Sequence, residues 1–312
     1  MRRRLVRGIR RVVMNADAHA ILQSWSAPIA VDLALSLAAV IYARGWFRLR
    51  SAFPGLISLR RLAAFFSGIV FVWVAIGSPL NAFDDVSLTV HMAQHLLLMA
   101  IAPPLILLGA PALPLLHGLP GWLARGVVGP FLRWGPVKRL GRFVTRAAIA
   151  WLAAALALIV WHIPMVFELA LRLQWLHEIE HGCFFVAGLV FWWPVVQPWP
   201  SAAAAPRWII PLYLFCATLP CDALSGFLVF CDRVVYSSYL SAPRVFRISP
   251  LQDQEFAAAL MWVCTTIIFL VPAVVITIQF LAPQSAELPG AGLAGTSGMA
   301  GKRLDAAKWK IV

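Results

Sequence analysis

Charge is what this sequence has least of. Only 12% of its 312 residues are Asp, Glu, Lys or Arg, about half the share usual in a soluble globular protein. Acid is scarcer still, with 13 Asp and Glu against 26 Lys and Arg. Cysteine is sparse too: Cys183, Cys216, Cys221, Cys231 and Cys264, none of them in a CxxC pair. That pattern implies no disulfide framework. Most of the five lie in apolar runs, where a thiol behaves as a small hydrophobe; Cys231 alone sits at a predicted membrane edge, placed to react or bind metal. A chain so poor in charge is not a soluble globular enzyme, a disordered segment or a nucleic-acid-binding module. What replaces the charge is 61% hydrophobic residues and a mean hydropathy of +0.82. Together they indicate an all-α, polytopic membrane protein.

A helix needs roughly 20 mostly apolar residues to cross a ~30 Å hydrocarbon layer. Seven stretches qualify: Ser26–Ala43, Leu62–Leu80, Leu88–Gly109, Ala147–Pro164, Leu176–Val196, Trp208–Phe230 and Phe256–Leu281. Tryptophans at 25, 46, 161, 175, 192, 193, 199, 208 and 262 bracket many of these, as expected for a residue that favours the headgroup level. With seven spans, sixteen basic residues fall on one side, in connections 44–61, 110–146 and 197–207 and in the C-terminal tail. The opposite side holds four (Arg172, Arg233, Arg244 and Arg247) along with most of the acids, Asp84 and Asp85 among them. Lys and Arg mark the cytoplasmic side, so the N-terminus is expected outside and the C-terminus in the cytoplasm. The net charge of +13 is then mainly a topology signal.

Residues 1–25 form a basic N-terminal extension that opens MRRRLVRGIRRVV. It has the basic start of a signal peptide without the apolar segment and cleavage site that should follow. Its six arginines oppose the orientation above. Later loops can override them, or translation can begin at Met14, the preferred reading, or residues 2–13 can form a surface helix. Residues 26–282 are the seven-helix domain, and 283–312 (PQSAELPGAGLAGTSGMAG onward) read as a flexible cytoplasmic tail.

Ionisable residues at membrane depth are costly and are candidates for function. Five of the seven histidines fall at the outer ends of predicted spans: His91 and His95 open the third, His162 closes the fourth, and His177 and His181 open the fifth. Both pairs have i,i+4 spacing, which puts two imidazoles on one helix face. Imidazole suits Cu, Zn, Fe and Ni, and sulfur would favour Cu(I); Met92, Met165 and Cys183 lie nearby in sequence. Any one interfacial histidine is ordinarily a satisfied polar residue. Five on one leaflet suggest a shared metal or haem site, with ligands near water so that an ion can exchange. Glu180 is a candidate supporting acid. Asp253 has two readings, orienting a ligating imidazole or capping a helix start. Asp32 and Asp222 should face the bundle interior and find partners. Pro103-Pro104 and Pro211 with Pro220 should bend the third and sixth spans.

Four runs together carry a family resemblance: HMAQHLLLMAIAPPLILLGAP, WHIPMVFELAL, LHEIEHGCFFVAGLVFWWPVV and DQEFAAALMWV. They are similar to the successive motifs of the caa3-type cytochrome c oxidase assembly factors, the CtaG family, over roughly residues 25–282. The resemblance implies a seven-helix protein of the bacterial cytoplasmic (inner) membrane. It would be needed for maturation of haem–copper oxidases and linked to formation of their copper centre. By resemblance His91, His95, His162, His177, His181 and Asp253 occupy motif positions. The implied partners are a haem–copper oxidase subunit or its assembly proteins, with membrane lipid and no nucleic acid. Such a protein is an assembly factor or metallochaperone with copper as the candidate metal, rather than an enzyme. The alternatives are a membrane-embedded zinc hydrolase, built on His177, His181, a further histidine and Asp253, and a redox protein with haem between histidines. A transporter is supported only by the prolines and the intramembrane acids.

Overall fold

The computed structural model describes residues 28–51, 57–198, 206, 208–243 and 248–281. The expected N-terminal extension, the start at Met14 and the tail at 283–312 lie outside these residues, as do Arg207, Arg244 and Arg247. Among the described residues there are helices and turns and no strand.

The elements that position the site are α1 (Ile29–Leu49), α2 (Leu59–Gly77) and α3 (Leu88–Leu96). A π turn (Leu97–Ile101) joins α3 to α4 (Ala102–Leu108), which α5 (Ala112–Gly118) follows. Then come α6 (Gly135–Val144), α7 (Ala147–Trp161), α8 (Pro164–Arg172), α9 (Gln174–Val196), α10 (Ile209–Phe230) and α11 (Pro250–Leu281). Among the described residues six stretches are long and apolar enough to cross a bilayer. They include the continuous run Leu88–Leu108, made of α3, the π turn and α4. The expected fourth span is α7, only 15 residues long. It becomes a seventh crossing only if taken together with α6, from which it is bent by 72°. Leu33, Leu37 and Val40 on α1, and Val263, Ile267, Val271 and Ile278 on α11, are exposed. Exposed apolar faces of this length belong in lipid, so the chain is a polytopic membrane protein.

Three departures from the sequence reading have physical causes. The first helix runs on to Leu49, past the predicted end at Ala43, because Tyr42, Trp46 and Leu49 are buried on one face. The last helix starts at Pro250, six residues before the predicted Phe256. Pro at a first helical position loses nothing, since its missing N–H would have no intrahelical partner. Connection 110–146 is helical where a loop was expected. Along it Trp122, Phe131, Trp134, Leu140 and Phe143 are exposed beside Lys138, Arg139 and Arg142, the composition of a helix lying in a membrane interface.

Lipid gives no hydrophobic drive for one helix to meet another, so close packing and internal hydrogen bonds hold such a bundle. Tyr42 stacks on Phe65 with ring centroids 3.8 Å apart and donates its hydroxyl to the Gly109 carbonyl at 2.8 Å. Gln94 Nε2 donates to the Ala75 carbonyl at 2.8 Å, pinning α3 to α2. Asp32 accepts from Trp73 Nε1 at 3.0 Å, the interior partner its position required. At Gly188 on α9, a Cβ would fall within 2.5 Å of the Met99 carbonyl oxygen, so only glycine lets α9 lie against the π turn. That turn sits where Pro103 and Pro104 leave the carbonyls of Met99 and Ala100 without i+4 donors. The expected bend in the third span therefore takes the form of a wider helical turn, beginning two residues after His95.

Candidate metal centre

α3 and α9 bring their i,i+4 histidine pairs face to face. Within each pair the rings lie one turn apart, with centroids 4.4 Å apart for His91 and His95 and 4.3 Å for His177 and His181. Across the helices, His91 stacks on His177 at 5.3 Å and His95 meets His181 edge-on at 5.9 Å. Glu180, three residues after His177, reaches between the first pair. Its Oε1 lies 3.6 Å from His91 Nε2 and 3.4 Å from His95 Nε2. Asp84 enters from the turn before α3, with Oδ2 3.8 Å from His177 Nε2. Two three-residue groups result, His91–His95–Glu180 and Asp84–His177–His181. In each, one possible ligand atom per residue lies within 4.8 Å of the others.

All six side chains are buried, at 0–6% exposure. The expectation that these ligands lie near water is therefore corrected. The rings of Phe167 and Tyr236 (centroids 4.0 Å apart) pack over the His91 end, with Phe167 4.8 Å from His91. Tyr239 donates to the Asp84 carbonyl at 2.8 Å. Burial pushes the Asp84 carboxyl up to about 7. Nine atoms of this cluster, on His91, His95, His177, His181, Glu180 and Asp84, are buried without a hydrogen bond. A buried polar group left unpaired costs about 1–3 kcal/mol. The donor set is imidazole nitrogen and carboxylate oxygen, which suits a divalent transition metal.

The other predicted residues fall differently. His162, the C-cap of α7, belongs to neither group; its Nδ1 is 2.7 Å from the Leu158 carbonyl and its Nε2 3.2 Å from Met92 Sδ. Among the described residues Asp253 is paired with no imidazole, and it does not precede its own helix. It lies in the first turn of α11 and caps a different helix, α3. Its carboxylate accepts from Leu88 N (2.7 Å), Thr89 N (3.2 Å), Ser87 Oγ (2.9 Å) and Thr89 Oγ1 (2.6 Å). The next residue, Gln254, accepts from Val235 N at 2.8 Å and donates to the carbonyls of Leu228 (3.1 Å) and Arg233 (3.2 Å). The Asp-Gln pair therefore holds both the start of the HMAQH helix and the segment that roofs it. Met165 is exposed, and Cys183 and Cys231 are half-buried free thiols. Asp222 Oδ1 is buried without a hydrogen bond, so its expected partner is missing among the described residues. Sequence reasoning missed Asp84 and the position of Met92. The signal for Asp84 was present: it lies seven residues before His91, just ahead of the Ser87 cap.

Fold and site together define a class: a helical membrane protein with a roofed histidine–carboxylate cluster where two helices begin. A family model described as cytochrome c oxidase caa3 assembly factor matches residues 40–282. The chain belongs to that family. Two relatives, uncharacterized proteins of Mycobacterium bovis and Mycobacterium tuberculosis, are each 26% identical over 273 residues, covering 83% of this chain and 40% of their own. A third, from Mycobacterium leprae, is 25% identical over 257 residues, covering 77% of this chain and 36% of its own. The chain thus spans about two fifths of the length of the curated relatives it matches. No solved structure matches it.

Proposed function

We propose that this protein is a cytochrome c oxidase assembly factor of the bacterial cytoplasmic membrane that holds copper as cargo in the His91–His95–Glu180 and Asp84–His177–His181 groups. The observation that carries the reading is the set of nine buried, unbonded donor atoms brought together from α3, α9 and the turn before α3. Each neutral imidazole offers one lone pair and keeps one N–H, so a cation in each group would satisfy one nitrogen per ring together with carboxylate oxygen. Family membership supports oxidase assembly as the purpose. Seven crossings with the N-terminus outside, as the basic loops indicate, would set the cluster at the outer face. The roof of Phe167, Tyr236 and Tyr239 makes the cluster a closed store. Loading and release then require the 231–243 segment to move, and an oxidase subunit docking there is the natural trigger. Holding an ion needs no substrate chemistry, so the protein acts as a metallochaperone rather than an enzyme.

Metal analysis of the purified protein tests this. Copper should co-purify or bind on addition, and changing His91 and His95 together to Ala should remove the ion that the His91–His95–Glu180 group holds. In cells the same double variant should remain in the membrane at normal level while oxidase loses copper. Normal copper content in both would refute the assignment. Labelling of cysteines introduced at Leu173 and Trp122 tests the orientation: only the first should react from outside.

A further inference from the structure

His162 has an unusual neighbour. Its Nδ1 lies 2.7 Å from the Leu158 carbonyl. A carbonyl can only accept, so Nδ1 carries the proton. In the neutral ring Nε2 is then a bare acceptor. Yet Nε2 sits 3.2 Å from the Met92 thioether sulfur, which cannot donate. Two lone pairs face each other at a distance where a hydrogen bond would ordinarily need a proton. Protonating Nε2 as well would bury an imidazolium. Among the described residues no carboxylate lies within ion-pair distance of His162 to compensate it. A soft cation satisfies both atoms. With metal–nitrogen and metal–sulfur bonds of about 2.0 and 2.3 Å, a 3.2 Å separation corresponds to a bond angle of roughly 95°.

The surroundings point the same way. Met92 and His162 both line a partly open cavity of about 60 Å³ between α3, the π turn, α7, α9, α10 and α11. Its other walls carry two further thioethers, Met99 and Met261, and the Cys221 thiol. Of the four described methionines, only Met165 lies elsewhere. His95, a member of the histidine–carboxylate cluster, also lines the cavity.

We propose that His162 Nε2 and Met92 Sδ form a second, softer metal site, separate from the histidine–carboxylate cluster, which takes a monovalent soft cation such as Cu(I), with the sulfur of the cavity wall completing its shell. Thioether sulfur is a soft donor that favours Cu(I). The two sites therefore differ in the oxidation state they favour, and His95 is the residue common to both surroundings. The inference rests on atoms that the cluster reading does not use.

The test is X-ray absorption on the purified full chain loaded with one equivalent of Ag(I), a redox-inert stand-in for Cu(I), alongside Zn(II) uptake. Silver should show a mixed nitrogen and sulfur shell. Met92→Leu should reduce the sulfur contribution by one scatterer and weaken Ag(I) binding roughly tenfold or more, leaving Zn(II) uptake by the cluster unchanged. If Met92→Leu also loses Zn(II), the fold has suffered, and Met92→Cys must restore both. A nitrogen-and-oxygen shell in the native chain overturns the proposal, as does silver affinity indifferent to Met92→Leu, or failure of Met92→Cys to rescue. A native chain that binds silver through sulfur but takes up no divalent ion refutes the cluster reading and upholds this one.

Discussion

Replacing Asp253 is expected to loosen the metal cluster without touching it. The carboxylate accepts four hydrogen bonds at the start of α3, two from backbone N–H groups and two from hydroxyls. In Asp253→Ala the hydroxyls can turn to other acceptors, but the N–H groups of Leu88 and Thr89 cannot. Two stranded donors at about 1–3 kcal/mol each, with the lost charge at a helix N-terminus adding up to ~2 kcal/mol, put the cost near 3–5 kcal/mol. Asp253→Asn keeps one acceptor and should lose about half of that. His91 is the fourth residue of α3, so fraying this turn moves it directly. The assay is thermal melting in detergent together with Zn(II) affinity and the metal's nearest-neighbour shell. Melting should fall in the order native, Asn, Ala. Affinity should drop some 10–100-fold, the usual effect of removing a supporting group, and the ligand count should stay the same. A Thr89→Val partner variant should be non-additive with Asp253→Ala. Native-like melting and affinity in Asp253→Ala would refute the capping argument; loss of one scatterer from the metal shell would show Asp253 to be a ligand instead.

Glu180→Gln should weaken metal binding by an order of magnitude or more, because the neutral amide is a poorer partner for an ion held by His91 and His95, while α9 itself keeps its helix by circular dichroism. The Asp84 carboxyl, raised by burial to about 7, is protonated below that pH and must lose the proton to bind metal. Metal affinity measured from pH 5.5 to 8 should therefore rise through about 7, and Asp84→Asn should flatten the rise. The sign for the metal-free protein is opposite. A folded carboxyl that holds its proton better than the unfolded one stabilises most at low pH, so melting without metal should fall as pH rises from about 4 to 7. Gly188→Val should lower the melting temperature and shift His181 relative to His95, since its side chain would meet the Met99 carbonyl; size-exclusion and melting in detergent read this, with Gly188→Ala the milder case.

Much of this arrangement was legible from residue types and spacing, for reasons that can be named. The i,i+4 histidines share a helix face whatever the bundle does, so their pairing followed from spacing alone. Helix existence followed from apolar runs, because lipid leaves the backbone no other means of satisfying itself. Spacing could not say which faces meet. His162 sits at the same end of the bundle as the four cluster histidines, yet its ring turns to Leu158 and Met92. Asp253 looked equally suited to an imidazole or a helix start, and tertiary packing chose a helix start on another element. Asp84 was hidden because a loop acid is ordinarily solvated; only the Tyr236–Tyr239 roof makes it a buried one. The depth of the cluster was misjudged for the same reason, since nothing in the span pattern shows that residues 231–243 fold back over it.

The central claim is that α3 and α9 together hold a metal ion, and one measurement addresses it most directly. Copper and zinc content should be determined for the detergent-purified full chain, the His91→Ala/His95→Ala double variant and the His177→Ala/His181→Ala double variant. The account predicts bound metal in the native chain, joined by imidazole nitrogen in its absorption spectrum, and loss from each double variant of the ion its own group holds. Native protein that binds neither metal, or double variants that bind as much as the native chain, would contradict it.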